Sequence, residues 1–226
     1  MLQAVLDAVG FGLCHQLPER SFFGGGVRVP VCARDAGIYL GFSLALLVLV
    51  LMHRDRPSRA PSTPVNIMLA LGIVAMALDG LTSYAGLRAT TNEIRLLTGL
   101  MTGFALAAWI TPMLNAELWR LPGGGRILPD WRRVAVYFGS VALSYVVIWY
   151  GAPHIGVAYP LLTTVSIIVT FTAVNLVIVC LLPVFERRAV RLRDAWLPLL
   201  LALVLTGVEL AASALLKAWL LGVFVP

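Results

Sequence analysis

Cys14 and His15 stand side by side near the amino terminus, Cys32 follows Cys14 by eighteen residues, and Asp35 lies three further on. Thiolate, imidazole and carboxylate are all zinc ligands, and four of them complete a tetrahedral site. The spacing is not that of a paired C-x2-C zinc motif. In an oxidising compartment the competing chemistry is a Cys14–Cys32 disulfide. Both readings stay open on these residues alone. Cys180 falls deep in an apolar run and reads as a packing residue.

A second set of polar residues belongs with this one. Arg20, Arg28 and Arg34 lie in or beside the cysteine segment, and Arg88 and Arg95 bracket the loop 88-RATTNEIR-95, which also carries Asn92. A planar guanidinium grips phosphate or carboxylate with two parallel bonds, so Arg20, Arg34, Arg88 and Arg95, with Asn92, are candidate substrate-binding residues for a small anion or an anionic lipid head group. The alternative is ion pairing with Glu19, Asp35, Asp79 and Glu93. Asp79 shares a helical face with Thr82, Ser83 and Gly86. A carboxylate inside an apolar segment is costly and faces a partner or a wet cavity. Asp79 is therefore either a salt-bridge partner of the arginines or a catalytic or metal-binding carboxylate, with His15 the other candidate catalytic group. His154 sits in a short turn and can join the same pocket, although a lone loop histidine is usually just solvated.

The elements that must position these residues are membrane helices. Hydrophobic residues make up 60% of the 226 and charged residues only 12%, about half the charge of a soluble domain. Six apolar segments run roughly over 37–52, 65–87, 96–114, 134–150, 157–185 and 195–224, each near the length of a spanning helix. The expected fold is all-α: a polytopic bundle of about six transmembrane helices in one domain, residues 1–36 forming the motif segment and 37–226 the bundle. The fifth and sixth segments exceed a bilayer, so tilt, kinks or frayed ends must absorb the excess. Pro112, Pro160, Pro183 and Pro198 fall near segment ends. Residues 1–13 lack the basic start and cleavage site of a signal peptide and read as a short interfacial helix. Gly99 and Gly103 form a small-xxx-small pair that predicts close helix packing. On the last segment Glu209, Ser213 and Lys217 share one stripe; hydrogen bonding of Glu209 to Asn115 or Asn175 is the expectation, with a proton relay the alternative.

Charge sets orientation. The net charge of +6 comes from loops, not from a compact basic domain, which excludes nucleic acid as a partner. Three loops around residues 53–59, 117–133 and 186–194 hold eleven of the seventeen Lys and Arg. By the positive-inside rule they face the cytoplasm of a cell inner (plasma) membrane, and the motif end faces the exterior or periplasm. The Gly123–Gly125 run reads as a flexible cytoplasmic turn, without the lysine of a phosphate loop.

The segments C-H-Q-L-P-E-R-S-F at 14–22, P-V-C-A-R-D-A-G-I-Y at 30–39, D-G-L-T at 79–82 and R-A-T-T-N-E-I-R at 88–95 resemble an uncharacterised domain-of-unknown-function family of bacterial and archaeal membrane proteins. That family is marked by C-H-Q-x-P-x-R-S-F and C-x-R-C-x-G-I-Y. The resemblance covers the first hundred residues and implies motif positions, not a mechanism. It also exposes a departure, since Asp35 stands where the family pattern has a second cysteine. Aspartate can replace cysteine as a zinc ligand but not as a disulfide partner, which tilts the set Cys14, His15, Cys32 and Asp35 toward metal. Three functions follow as expectations: a metal-assisted hydrolase or transferase, a structural or assembly subunit with a stapled cap, and a metal or ion carrier. The bilayer is the one required partner; a homo-oligomer or a membrane-complex partner is compatible with each.

Overall fold

The computed structural model describes residues 1–224. It is a helical bundle: α1 (Leu2–Phe11), α2 (Ala33–Met52), α3 (Thr63–Tyr84), α4 (Asn92–Leu118), α5 (Trp131–Val146), α6 (Ala158–Cys180) and α7 (Trp196–Phe224). The last six, α5 with the π-turn that follows it, are long and apolar enough to cross a membrane. Their termini follow local chemistry. The Thr91 hydroxyl accepts the Ile94 N–H at the start of α4, and Asp130 accepts the Arg133 N–H at the start of α5. Pro160 occupies the first turn of α6, where no N–H is needed. α6 ends at Cys180 rather than near residue 185: Pro183 cannot continue the helix, and residues 181–187 turn back. The excess length of the fifth apolar segment is thus resolved by stopping. Pro112, expected near a helix end, instead lies inside α4, which continues to Leu118.

The centre of the bundle is the contact between α2 and α4. A Cβ on Gly99 would stand 2.1 Å from the Arg34 carbonyl oxygen, and one on Gly103 would stand 2.2 Å from that of Ile38. On the facing side, a Cβ on Gly37 would meet the Leu96 oxygen at 2.6 Å. Two small-xxx-small pairs, Gly37/Gly41 and Gly99/Gly103, therefore interlock and let the backbones touch. Phe42, Leu96, Leu100 and Phe104 pack around that seam, and the Tyr137 hydroxyl of α5 donates to the Phe104 carbonyl at 2.7 Å.

Two short strands at each end tie the loops. At the amino-terminal end β1 (Phe23–Gly24) and β2 (Val27–Arg28) form a hairpin whose turn residues, Gly25 and Gly26, have φ of 58° and 77°. At the other end β3 (Pro57–Arg59) runs parallel to β4 (Gly123–Arg126). The glycine run expected as a flexible turn is therefore a paired strand. Gly123 donates to the Arg56 carbonyl, and its missing Cβ makes room for the Asp55 carbonyl oxygen, 2.0 Å from where that carbon would be. Arg56 lies 3.6 Å above the Trp119 ring.

Candidate functional site

The motif segment is held down by a latch of hydrogen bonds. Gln16, in the left-handed region at φ 55°, donates from its amide to the Asp7 and Pro30 carbonyls, both at 2.9 Å. Arg28 donates to the Gln16 carbonyl at 2.5 Å and pairs with the Asp7 carboxylate at 3.1 Å. Gly10 lies so close to Pro30 that a Cβ would stand 2.0 Å from its carbonyl oxygen. These contacts fold residues 12–17 back onto residue 30 and so set Cys14 beside the start of α2.

Cys32 is the residue before the first turn of α2 and Asp35 lies within that turn, so the two share a face. The Cys32 N–H donates to the Cys14 sulfur at 3.2 Å, and the Cys32 thiol donates to the Asp35 carboxylate at 3.3 Å. The three ligand atoms of Cys14, Cys32 and Asp35 all lie within 4.8 Å of one another. The close Cys32 side chain pulls the Cys14 pKa down to about 5, against the opposing effect of burial. The same proximity, together with burial, pushes the Cys32 thiol well above its ordinary value. The two sulfurs are thus driven in opposite directions and titrate as a pair rather than independently. All three cysteines are free thiols.

His15 does not enter this group. Its neighbour Cys14 turns inward, while His15 is exposed on the rim of a small cavity of about 20 Å³. Cys14, His15, Arg20, Cys32, Arg34 and Arg95 are among the residues lining that cavity, which has room for one ion or water molecule. Arg34 is only 8% exposed, and among the described residues its Nε has no hydrogen-bond partner. Its other end donates to Asp79, as does Arg88, and the Thr90 hydroxyl adds a third donor at 2.7 Å. Asp79 is thus a buried counter-ion for two arginines, and it reaches the cavity only through Arg34. Arg95 donates to Asn92 at 2.9 Å, and Asn92 in turn donates to the Glu19 carbonyl. Arg88 and Asn92 buttress the cavity and are not among its lining residues. Arg20 lies over the Tyr84 ring at 5.9 Å. Among the described residues neither Arg20 nor Arg95 pairs with a carboxylate, so the cavity carries surplus positive charge.

Residues 14–109 match the family DUF2085, described as "Predicted membrane protein". A relative from Methanocaldococcus jannaschii, titled an uncharacterized protein, is 36% identical over 115 residues, which is 51% of this chain and 72% of the relative. The chain belongs to this family. A second uncharacterized relative, from Methanothermobacter thermautotrophicus, is 37% identical over 95 residues, 42% of this chain and 81% of its own length. No solved structure matches. The DUF2085 match begins at Cys14 and takes in α2, α3 and most of α4. Every residue of the thiol, carboxylate and arginine cluster falls inside it, whereas α5, α6 and α7 do not.

Several positioning residues escape a sequence reading. Gln16 and Thr90 act through contacts distant in the chain, and Asp7 joins the distant Arg28 as well as Gln3 one turn away. Gly37 and Gly41 carry the same readable spacing as Gly99 and Gly103. His154 is exposed and stands apart from the ligand cluster. Glu209 accepts the Asn175 amide at 2.8 Å, the second of its two expected partners; Asn115 instead bonds to Pro57 and Trp119.

Proposed function

We propose that Cys14, Cys32 and Asp35 hold a zinc ion with a fourth position open toward the arginine-walled cavity, and that the protein is a membrane-embedded, metal-assisted hydrolase or transferase acting on a small anion or an anionic head group. The observation that carries this reading is the convergence of three ligand atoms within 4.8 Å beside an arginine whose buried Nε is unpaired. Ligands of a tetrahedral zinc stand about 3.5 Å apart, so a small inward movement closes the set. Three protein ligands plus an open position is the pattern of catalytic rather than structural zinc. Bound metal would polarise an oxygen or activate water. His15, on the cavity rim, is the group able to move a proton or to close the coordination shell. Arg20, Arg34 and Arg95 would hold the anion, with Arg88 and Asn92 behind them; Asp79 acts by fixing Arg34. The multi-pass chain sits in the inner (plasma) membrane, and the motif end is assigned to its exterior face because most of the basic residues lie in the opposite loops.

A structural cap is the second reading, favoured by the full engagement of Asp79 and by two thiols close enough to form a disulfide. Elemental analysis and thiol counting on the purified protein separate the two. One zinc per chain, lost in Cys32→Ser, is the expected result. Metal-free protein with a single reactive thiol after denaturation, that of Cys180, sinks the zinc reading and establishes the staple.

A further inference from the structure

The chain has sixteen arginines and a single lysine, Lys217, and that lysine has an unusual position. It lies on α7, yet its ammonium donates to the carbonyls of Phe11 and Cys14, both at 2.7 Å, and sits 4.5 Å from the Phe11 ring centroid. α7 is held against the same segment by contact, since a Cβ on Gly12 would stand 2.3 Å from the Ser213 hydroxyl. Between the end of α1 and α7 a cleft of about 400 Å³ remains, with Leu13 and His15 on one wall and Leu216, Lys217 and Leu220 on the other. An ammonium has three donors; two are used by the carbonyls, which leaves one for a ligand. Cys14 and His15 line both this cleft and the arginine cavity, so the two spaces share a wall.

We propose that the cleft between α1 and α7 binds an anionic phospholipid, its phosphate on Lys217 and His15 and an acyl chain along the leucines. Three features point to this occupant. The ionisable groups facing it are an ammonium and an imidazole, beside the Ser213 hydroxyl and the Cys14 sulfur, and among the described residues no carboxylate lines the cleft. The rest of the wall is mostly aliphatic, and Leu216 and Leu220 are 57% and 40% exposed, so the cleft opens sideways toward lipid. Lys217 stands about 32 Å along α7 from Trp196, one hydrocarbon thickness away, which puts its ammonium level with the head groups. The site requires no metal at Cys14; its lysine wall lies outside the segment that matches the family, and His15 lies within it.

Native mass spectrometry of the full chain in detergent, with a chelator present, tests this directly. Phosphatidylglycerol and phosphatidylcholine with identical acyl chains are offered together. Wild type is expected to retain phosphatidylglycerol about fivefold better, the size of one lysine's attraction to an anionic lipid. Lys217→Gln and Leu220→Trp should each bring the ratio close to one. Leu220→Trp fills the cleft while leaving the carbonyl bonds of Lys217 intact, so it decides the matter if Lys217→Gln fails to fold. Equal retention of both lipids by wild type, or a preference that survives Leu220→Trp, overturns the proposal. Displacement of the lipid by inorganic phosphate assigns the site to a free anion and overturns it too.

Discussion

α4 buries 67% of its most apolar stretch inside the molecule, whereas α7 buries 11% of its own. The two helices are similar in length and both lack an amphipathic stripe; α7 is the more apolar, with a mean hydropathy of 2.3 against 1.5, and yet is the less buried, so hydrophobicity does not explain the burial. What differs is how each is held. Lipid tails are as apolar as leucine, so burial of leucine does not drive helices together in a membrane. α4 meets α2 through glycines that bring backbones into contact, and the two helices carry Arg34 and Arg95 to the cavity. α7 meets α6 through four polar side chains, Thr172, Asn175, Thr206 and Glu209, and meets the motif through Lys217. Close backbone packing makes the first region a rigid frame for chemistry, and the second region is attached to it at a few points.

The largest effect should come from the frame. Gly103→Val puts carbon within about 2 Å of the Ile38 carbonyl, and α2 and α4 must separate to admit it. We expect a loss of about 3 kcal/mol, the upper end of overpacking costs, or no folded protein. Gly207→Val on α7 has nothing within 4 Å of its new carbon and should stay within about 0.5 kcal/mol of wild type. Thermal unfolding followed by the fluorescence of the six tryptophans compares the pair. Similar losses in both variants would erase the distinction between the two regions.

Asp79→Asn comes next. It leaves Arg34, 8% exposed, without its carboxylate, and removing one partner of a buried pair costs about 3–5 kcal/mol. Because Arg88 is 45% exposed on its side chain, Arg88→Ala should cost about 1 kcal/mol or less. A stable, fully folded Asp79→Asn protein would show that the carboxylate is not the structural counter-ion described here and would return it to the candidate catalytic groups.

Part of this molecule is legible in one dimension and part is not. The six spans are, because an apolar run long enough to cross a bilayer is a local property. Helix ends are less so: Pro183 stops α6 early while Pro112 is tolerated inside α4, and the difference lies in what surrounds each proline. In the site, Cys32 and Asp35 share a helix face at i and i+3, which spacing alone reveals. That Cys14 joins them depends on the Gln16–Pro30 and Asp7–Arg28 contacts, none of which leaves a local signal. The same latch separates Cys14 from His15, adjacent in sequence and indistinguishable there as ligands, by turning one inward and leaving the other on the rim. Asp79 was readable as a costly buried charge; that two arginines and Thr90 all converge on it was not.

The smallest effect belongs to the attachment of α7. Asn175 is 2% exposed and donates to both the Thr206 hydroxyl and the Glu209 carboxylate. Asn175→Leu removes both bonds at once, yet it leaves Lys217 on the Phe11 and Cys14 carbonyls. Interhelical hydrogen bonds in membranes contribute on the order of 0.6 kcal/mol each and rarely above about 1.7, because the separated helices find other partners. The expected result is therefore a fall of about 1–2 kcal/mol, accompanied by faster backbone hydrogen exchange in α7 and unchanged exchange in α2 and α4. A loss as large as that of Gly103→Val, or exchange that quickens across all helices, would mean that α7 is part of the frame. If instead only α7 loosens, a helix outside the family match can move against the Cys14 segment while the ligand cluster keeps its shape.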